Sequence, residues 1–92
     1  MDKNLKLSVI IPVYNEENTV FDIVSKVQAV DIPKEIIIVN DCSTDKTKEI
    51  LDTLSQEDSI KIVHHSVNSG KGAAIQTAKD YITGDLVIIQ DA

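Results

Sequence analysis

Short apolar runs recur along the chain and alternate with amphipathic segments. The runs are rich in isoleucine and valine, a composition that favours strands buried on both faces. They predict four strands, over residues 7–11, 35–40, 59–64 and 86–89. We expect Pro12 to end the first strand, because proline has no N–H to donate to a central ladder.

The segments between these runs carry apolar residues at helical spacing. They predict helices over residues 19–30 and 70–82, and a third around an apolar stripe at residues 47, 50, 51 and 54. Polar residues suited to N-capping precede the first two helices in the chain, namely Asn18 or Thr19 and Ser43 or Thr44. Gly84 is expected to separate the last helix from the last strand.

The elements follow the order βαβαβαβ. Such alternation indicates parallel strands joined by right-handed crossovers, with helices covering the sheet. The sequence therefore predicts an α/β fold with a Rossmann-like open parallel sheet, in a single domain over residues 1–92. No helix follows the last strand, so we expect the domain to be truncated and the natural chain to continue past Ala92.

The charge balance narrows the classes of partner. The chain has 15 acidic and 9 basic residues and a formal net charge of −6. It therefore lacks the basic surface expected of a nucleic-acid-binding protein, and it has no basic amphipathic face for anionic lipid. An acidic chain that binds a phosphorylated ligand needs a metal ion or local backbone donors.

Cysteine content and hydropathy bear on location. The single cysteine, Cys42, cannot form an internal disulfide and is compatible with a reducing compartment. The sequence shows neither a signal-peptide pattern nor an apolar run approaching ~18 residues. We expect a cytoplasmic location, with the parent protein at the cytoplasmic face of a membrane as an alternative.

Polar residues follow every predicted strand. Ligands of open parallel sheets bind beyond the carboxyl ends of the strands, so these segments are the candidate site. They contain four runs, VIIPVYNEE at 9–17, IVNDCSTD at 38–45, NSGKGAA at 68–74 and QDA at 90–92.

These four runs resemble, in order and spacing, the signatures of the family 2 glycosyltransferases with the GT-A fold. The last run resembles the first part of their Asp-X-Asp motif. The resemblance covers the whole chain and implies the N-terminal, nucleotide-binding half of that fold. The third run is most similar to the dolichyl-phosphate mannosyltransferase-like members, which glycosylate a polyprenyl phosphate.

The resemblance implies roles for residues of the first two runs. The loop from Pro12 to Glu16 would wrap the nucleobase and ribose, with Tyr14 against the base and Glu16 accepting hydrogen bonds. Asp41 would accept from base N–H groups. Each also has a structural interpretation: Pro12 could simply end a strand, and Asp41 could cap the next helix. Asp45 is expected to be a first-turn residue favoured by the helix dipole.

In the last two runs the resemblance implies contacts to phosphate and metal. Lys71 would lie near the nucleotide at a helix N-terminus, a common anion site. Asp91 would help to hold Mg²⁺ or Mn²⁺, which would neutralise the diphosphate of the donor. The structural interpretations are a solvated lysine and a polar residue at a frayed terminus. The spacing around Lys71 fits neither a P-loop nor a dinucleotide fingerprint.

Three further residues bear on the hypothesis. Cys42 occupies a position where the family usually has glycine, so a positive φ there would strain the backbone. Because no activating arrangement accompanies Cys42, we interpret it as a small semi-buried side chain rather than a nucleophile. His64 and His65 are adjacent on a strand and point to opposite faces, so they are expected to be structural or solvent-facing.

The parent protein is thus expected to transfer a sugar, with inversion, from a nucleoside diphosphate sugar to an acceptor. We identify no catalytic residue in the chain, and expect the chain alone to be inactive. A non-catalytic nucleotide-binding or interaction module is the main alternative. A receiver-like domain is disfavoured because the third strand ends in two histidines rather than a phosphoacceptor. The open sheet edge also predicts self-association.

Overall fold

The computed structural model describes residues 5–92, and its elements follow the predicted βαβαβαβ order. The first four residues, with which the predicted domain begins, lie outside this range. The strands and helices are β1 (Leu7–Val13), α1 (Val20–Ala29), β2 (Lys34–Asn40), α2 (Thr47–Leu54), β3 (Ile60–His64), α3 (Lys71–Lys79) and β4 (Leu86–Ile89). The α/β fold with a parallel sheet is confirmed.

The four strands form one parallel sheet in the order β3-β2-β1-β4. The chain builds outwards from β1 to β3, and α3 then carries it back across the sheet to β4. The order of strands therefore reverses between β1 and β4. In open parallel sheets, the carboxyl ends of strands at such a reversal form the ligand-binding crevice.

The core is aliphatic and lies on both faces of the sheet. On one face, α1 and α2 pack against a cluster that includes Val9, Ile11, Ile36 and Ile38. On the other face, α3 packs against a smaller cluster, in which Ala74 and Ala78 contact the sheet residues Ile10, Ile37 and Val39. Small residues on α3 allow the helix to approach the sheet closely, and β2 is buried from both sides.

Strand β4 forms one edge of the sheet and is much more exposed than the other strands. Its four residues, Leu86 to Ile89, are each between 47% and 54% exposed although all are apolar. Strand β1 covers only one side of β4. Across residues 5–92, every helix is too short or too polar to cross a membrane.

The prediction that Pro12 ends the first strand was wrong. Strand β1 continues to Val13, and Pro12 lies opposite Val39 in the ladder with β2. Polar groups of successive residues point to alternate sides: the Ile10 carbonyl accepts from Gln90 on the β4 side, and the Val13 carbonyl accepts from Asp41 on the β2 side. The Pro12 nitrogen thus faces the β4 side, beyond the last β4 residue, where no donor is needed.

The predicted N-cap residue is confirmed for α1, which Thr19 precedes, but its side chain makes no capping hydrogen bond. The prediction was wrong for α2, whose N-cap residue is Lys46 rather than Ser43 or Thr44. Asp45 accepts instead from the backbone N–H of Thr47, at 2.9 Å. Asp45 thus precedes α2 and serves the capping function expected of its neighbours.

A half-buried carboxylate connects three segments at the amino end of the sheet. Glu35, at the start of β2, accepts hydrogen bonds from the Ser8 hydroxyl and from both the backbone N–H and the hydroxyl of Thr83. The Ser8 hydroxyl also accepts from the Gly84 N–H at 2.9 Å. These bonds connect β1 and β2 with the segment that leads into β4. Gly84 is required there because a Cβ would lie 2.8 Å from the Lys6 carbonyl oxygen.

Candidate functional site

A cavity of about 310 Å³ lies beyond the carboxyl ends of the strands, next to the reversal in strand order. Four separate segments of the chain line it: the end of β1 with the loop that follows, the residue after β2, the first turn of α3 and the residues after β4. The lining includes all six residues singled out from the sequence, Pro12, Tyr14, Glu16, Asp41, Lys71 and Asp91. The structure therefore brings the candidate residues together around one space, while their binding roles remain predictions.

The loop after β1 is held by the loop after β2. Asn15, with a φ of +52°, donates its backbone N–H to the Ser43 hydroxyl and accepts from the Thr44 N–H at 2.7 Å. The next residue, Glu16, donates its N–H to the Thr47 hydroxyl at 2.9 Å. These contacts explain why Ser43 and Thr44 do not cap α2: they hold the first loop instead. Tyr14 is left 45% exposed at the cavity wall.

Asp41 lies at the back of the cavity and is almost fully buried, with 4% of its surface exposed. Its Oδ1 accepts from the Ser69 N–H at 2.8 Å and from His65 Nδ1 at 2.9 Å. Its Oδ2 accepts from the Gly70 N–H at 2.7 Å. The carboxylate therefore connects the end of β2 with the segment that begins α3.

The environment of Asp41 favours its ionised form. Burial alone would raise the pKa of this carboxyl group, but the hydrogen bonds from Ser69, His65 and Gly70 outweigh it. The pKa of Asp41 is therefore lowered from its ordinary value. At neutral pH the group is a carboxylate, which can only accept hydrogen bonds.

His65 does not line the cavity but contacts the site residue Asp41, a contact that the sequence did not predict. Its Nδ1 contacts Asp41, and its Nε2 lies 2.8 Å from the Thr77 hydroxyl of α3. The structural role expected of the two histidines is confirmed: His64 contacts Asn40 and Asp52 instead. The position of His65, directly after β3 at the rim that carries Asp41, was the available signal.

Lys71 and Asp91 face each other across the mouth of the cavity. Their side chains form an ion pair, and both are more than half exposed. Lys71 is the first residue of α3 and follows Gly70, whose φ of +93° turns the chain into the helix. The first turn of a helix has backbone N–H groups without intrahelical partners, which favour an anion. The arrangement thus combines a cation, backbone donors and a carboxylate at one opening.

The residues at 5–92 do not form a complete metal site by themselves. Within that range, no group of three or more His, Cys, Asp or Glu side chains could hold a metal ion. Asp91 contributes one exposed carboxylate, and oxygen is the ligand that Mg²⁺ prefers. The donor chemistry at Asp91 fits a magnesium or manganese ion that takes its other ligands from phosphate and water.

Cys42 adopts a backbone conformation that favours glycine. Its φ is +60°, the left-handed region in which a Cβ causes strain. Its thiol is half-buried and lies 3.5 Å from the Ser66 carbonyl oxygen. The positive φ, on which the prediction of strain at this position depends, is therefore present, while the strain itself stays a prediction.

Comparison with known proteins identifies the family. The family model described as Glycosyl transferase family 2 matches residues 8–92. An uncharacterized glycosyltransferase of Synechocystis is 41% identical over an alignment of 93 positions, which covers 96% of this chain and 29% of the relative. A dolichyl-phosphate beta-glucosyltransferase of Trichomonas vaginalis is 36% identical, over 94% of this chain and 30% of the relative. The chain thus spans less than a third of the length of these relatives.

Solved structures share the fold. The poly(ribitol-phosphate) beta-N-acetylglucosaminyltransferase TarS of Staphylococcus aureus, in complex with UDP-GlcNAc, superposes with a TM-score of 0.85 at 31% identity, over 95% of this chain and 26% of that chain. A mannosyltransferase of Pyrobaculum calidifontis, in complex with GDP-Man and Mn²⁺, gives a TM-score of 0.85 at 27% identity, over 92% of this chain and 26% of that chain. The chain has the GT-A fold and belongs to glycosyltransferase family 2.

Proposed function

We propose that this chain is the donor-binding part of an inverting glycosyltransferase, and that its cavity binds a nucleoside diphosphate sugar. One observation carries the proposal: six candidate residues from four segments of the chain line one cavity at the reversal in strand order. The two structurally similar enzymes hold UDP-GlcNAc and GDP-Man, respectively, which supports this class of ligand.

The inner part of the cavity suits the nucleobase and ribose. Tyr14 offers an apolar ring with a polar tip at a half-exposed position. Asp41 receives three hydrogen bonds within the protein, and two carboxylate oxygens accept about four. One acceptor position therefore remains for a base N–H. Pro12 shapes the wall beside it, and Glu16 supplies an acceptor for the ribose.

The outer part of the cavity suits the diphosphate. Lys71 supplies positive charge beside the first turn of α3, and its present partner is the exposed carboxylate of Asp91. Asp91 would hold Mg²⁺ or Mn²⁺ as the first carboxylate of an Asp-X-Asp motif. A divalent ion bound there supplies charge neutralisation of the departing nucleoside diphosphate. The Pyrobaculum enzyme is in complex with both GDP-Man and Mn²⁺, which supports this choice of metal.

The proposed acceptor is a polyprenyl phosphate. The parent protein would transfer the sugar to this acceptor at the cytoplasmic face of a membrane. Support comes from the Trichomonas relative, whose name describes a dolichyl-phosphate acceptor. TarS is named for a poly(ribitol-phosphate) acceptor, so acceptors differ among the relatives. We place neither a general base nor an acceptor pocket in the chain, and therefore propose that the 92-residue domain alone does not catalyse transfer.

The exposed β4 edge is proposed to cause self-association of the isolated domain. Leu86, Val87, Ile88 and Ile89 present apolar side chains and unpaired backbone groups along one edge. Sedimentation at rising concentration checks this, and a monomer at high concentration contradicts it.

A non-catalytic nucleotide-binding module is the alternative function, favoured if nucleotides bind without any effect of metal.

Calorimetric titration with UDP and GDP, with and without Mn²⁺, tests the donor site. We expect at least one nucleotide to bind, with about tenfold higher affinity when Mn²⁺ is present. Asp91→Asn should remove the effect of Mn²⁺ without weakening metal-free binding, because the substitution also frees Lys71 from its ion pair. Asp58→Asn, at an exposed carboxylate far from the cavity, is the control and should change neither. Indifference to both nucleotides would overturn the proposal, and turnover of a nucleotide sugar would overturn the predicted inactivity.

A further inference from the structure

Hydrogen bonds connect Asp41 both with the residue that precedes α3 and, through His65, with the second turn of that helix. Asp41 accepts from Gly70, which precedes the helix, and from His65. His65 contacts the hydroxyl of Thr77, seven residues after Gly70 and therefore on the same face of the helix. The helix is thus held at two points two turns apart, and both connections pass through the carboxylate of Asp41.

The chemistry of these groups fixes the orientation of the imidazole. A carboxylate donates no hydrogen bond, so the proton between Asp41 and His65 belongs to Nδ1 of the histidine. In the neutral ring Nε2 then accepts, and the Thr77 hydroxyl donates to it. Removal of the Thr77 hydroxyl would leave Nε2 without its partner and free the ring to rotate.

His65 itself does not line the cavity, whereas Asp41 does. The side chain of His65 is 14% exposed and that of Asp41 is 6% exposed, so both positions are set by internal contacts. His65 and Ser69 both donate to Oδ1 of Asp41, while Oδ2 has a single donor. The histidine therefore occupies one oxygen and orients the other, which retains an acceptor position.

We propose that His65, held by Thr77, is a positioning residue for the donor site. By orienting Asp41, it fixes both the acceptor offered to the nucleobase and the start of α3, where Lys71 lies. Binding of a nucleotide at Asp41 and ordering of the Ser69–Gly70 segment are then coupled. This inference rests on the proposed donor site, but it concerns a residue that does not contact the ligand.

Three variants test the proposal by titration with UDP and GDP. His65→Leu removes both hydrogen bonds at similar volume and should weaken nucleotide binding about tenfold or more. His65→Asn, whose amide can still donate to Asp41, should recover affinity to within about threefold of the unsubstituted protein. Thr77→Val should give a loss of about threefold, since the ring remains but is no longer fixed. His64→Leu is the matched control and should leave affinity unchanged.

Two NMR measurements separate this proposal from the donor-site proposal. Long-range ¹H–¹⁵N spectra should show His65 protonated at Nδ1. Hydrogen exchange at the Ser69 and Gly70 amides should quicken in His65→Leu and stay slow in His65→Asn. If no nucleotide binds but both NMR results hold, the donor site fails and the positioning of Asp41 stands. A neutral ring protonated at Nε2, or unchanged exchange in a folded His65→Leu protein, overturns the positioning role.

Discussion

The two ends of β2 carry the two carboxylates that hold the crossover through α3. Glu35, near the start of the strand, binds Thr83 just before β4, and Asp41, directly after the strand, binds Gly70 just before α3. Each group is shielded from solvent and accepts hydrogen bonds from both backbone and side chains. A carboxylate that accepts several hydrogen bonds therefore connects neighbouring segments at both rims of the sheet.

The two carboxylates differ in their charged partners and in their burial. Glu35 accepts three hydrogen bonds and also forms an ion pair with Lys6, whose ammonium group lies 3.8 Å away. A cation of the protein itself therefore balances the charge of Glu35. Asp41 has three donors and borders the cavity. The two groups thus accept the same number of hydrogen bonds but differ in charge and burial. Glu35 is half-buried and paired with a lysine, whereas Asp41 is almost fully buried, has no lysine partner among residues 5–92 and borders the cavity that the candidate site residues line. This difference distinguishes the carboxyl rim from the amino rim.

The largest effect on stability is expected at the amino rim, for Gly84→Ala. The added Cβ would lie 2.5 Å from the Ser8 hydroxyl oxygen and 2.8 Å from the Lys6 carbonyl oxygen, and backbone cannot move aside as a side chain can. We expect a loss of about 3 kcal/mol in the free energy of unfolding, measured by urea denaturation. Gly72→Ala is the control: its Cβ would meet nothing within 4 Å. A gain of about 0.5–1 kcal/mol is expected there, since alanine favours the helix.

Isosteric amides distinguish the two carboxylates directly. Asp41→Asn turns an NH₂ group towards a backbone N–H in either orientation of the amide, since both oxygens of Asp41 accept from one, and should lower the free energy of unfolding by about 1–3 kcal/mol. Glu35→Gln can place its NH₂ against the Thr83 hydroxyl, which can accept, so a smaller loss of about 1 kcal/mol is expected. Only Asp41→Asn should also weaken UDP or GDP binding, because Glu35 lies at the opposite rim. Equal loss of nucleotide affinity in Glu35→Gln would break the distinction between the rims.

In the same two variants, the free energy of unfolding should fall less steeply as the pH is lowered into the acid range. Burial alone would raise the pKa of Glu35. The hydrogen bonds from Ser8 and Thr83 and the charge of Lys6 outweigh this effect, so the pKa of Glu35 is lowered, as that of Asp41 is. A group with a lowered folded pKa stabilises the protein above its unfolded pKa, which is about 4. That contribution is lost as pH falls through the folded pKa. Urea denaturation between pH 7 and pH 3 checks this, and an unchanged slope in both variants contradicts it.

Most of the fold could be predicted because it follows from local periodicity. The isoleucine-rich runs and the helical spacing of residues such as Val20 and Val24 are signals within single elements. The errors arose where a distant partner decided the outcome. Pro12 remains in β1 because β4 ends before reaching it. Ser43 bonds Asn15, 28 residues away, instead of capping α2.

The candidate site likewise contains features that the sequence predicts and contacts that it does not. The six candidate residues were found because they follow strands and match ordered motifs, and the parallel sheet brings strand ends together. The contacts of Asp41 with His65, and of His65 with Thr77, could not be predicted in the same way. They join the ends of two strands to the middle of α3. The distances between these elements, and which ring nitrogen of His65 contacts the Asp41 carboxylate, depend on the tertiary structure and cannot be derived from the sequence.

The smallest expected effect concerns Cys42, next to Asp41 at the carboxyl rim. A residue other than glycine at a φ of +60° costs roughly 1–2 kcal/mol. Glycine removes this strain but adds freedom to the unfolded chain, at a cost of about 0.5–1 kcal/mol. Cys42→Gly should therefore raise the free energy of unfolding by about 0.5–1 kcal/mol, measured by urea denaturation. Cys42→Ala, which keeps a Cβ and also removes the thiol, is the matched control and should bring no gain. If the two variants are equally stable, the turn after β2 is unstrained. The backbone conformation that places Asp41 at the carboxyl rim would then not lower the free energy of unfolding.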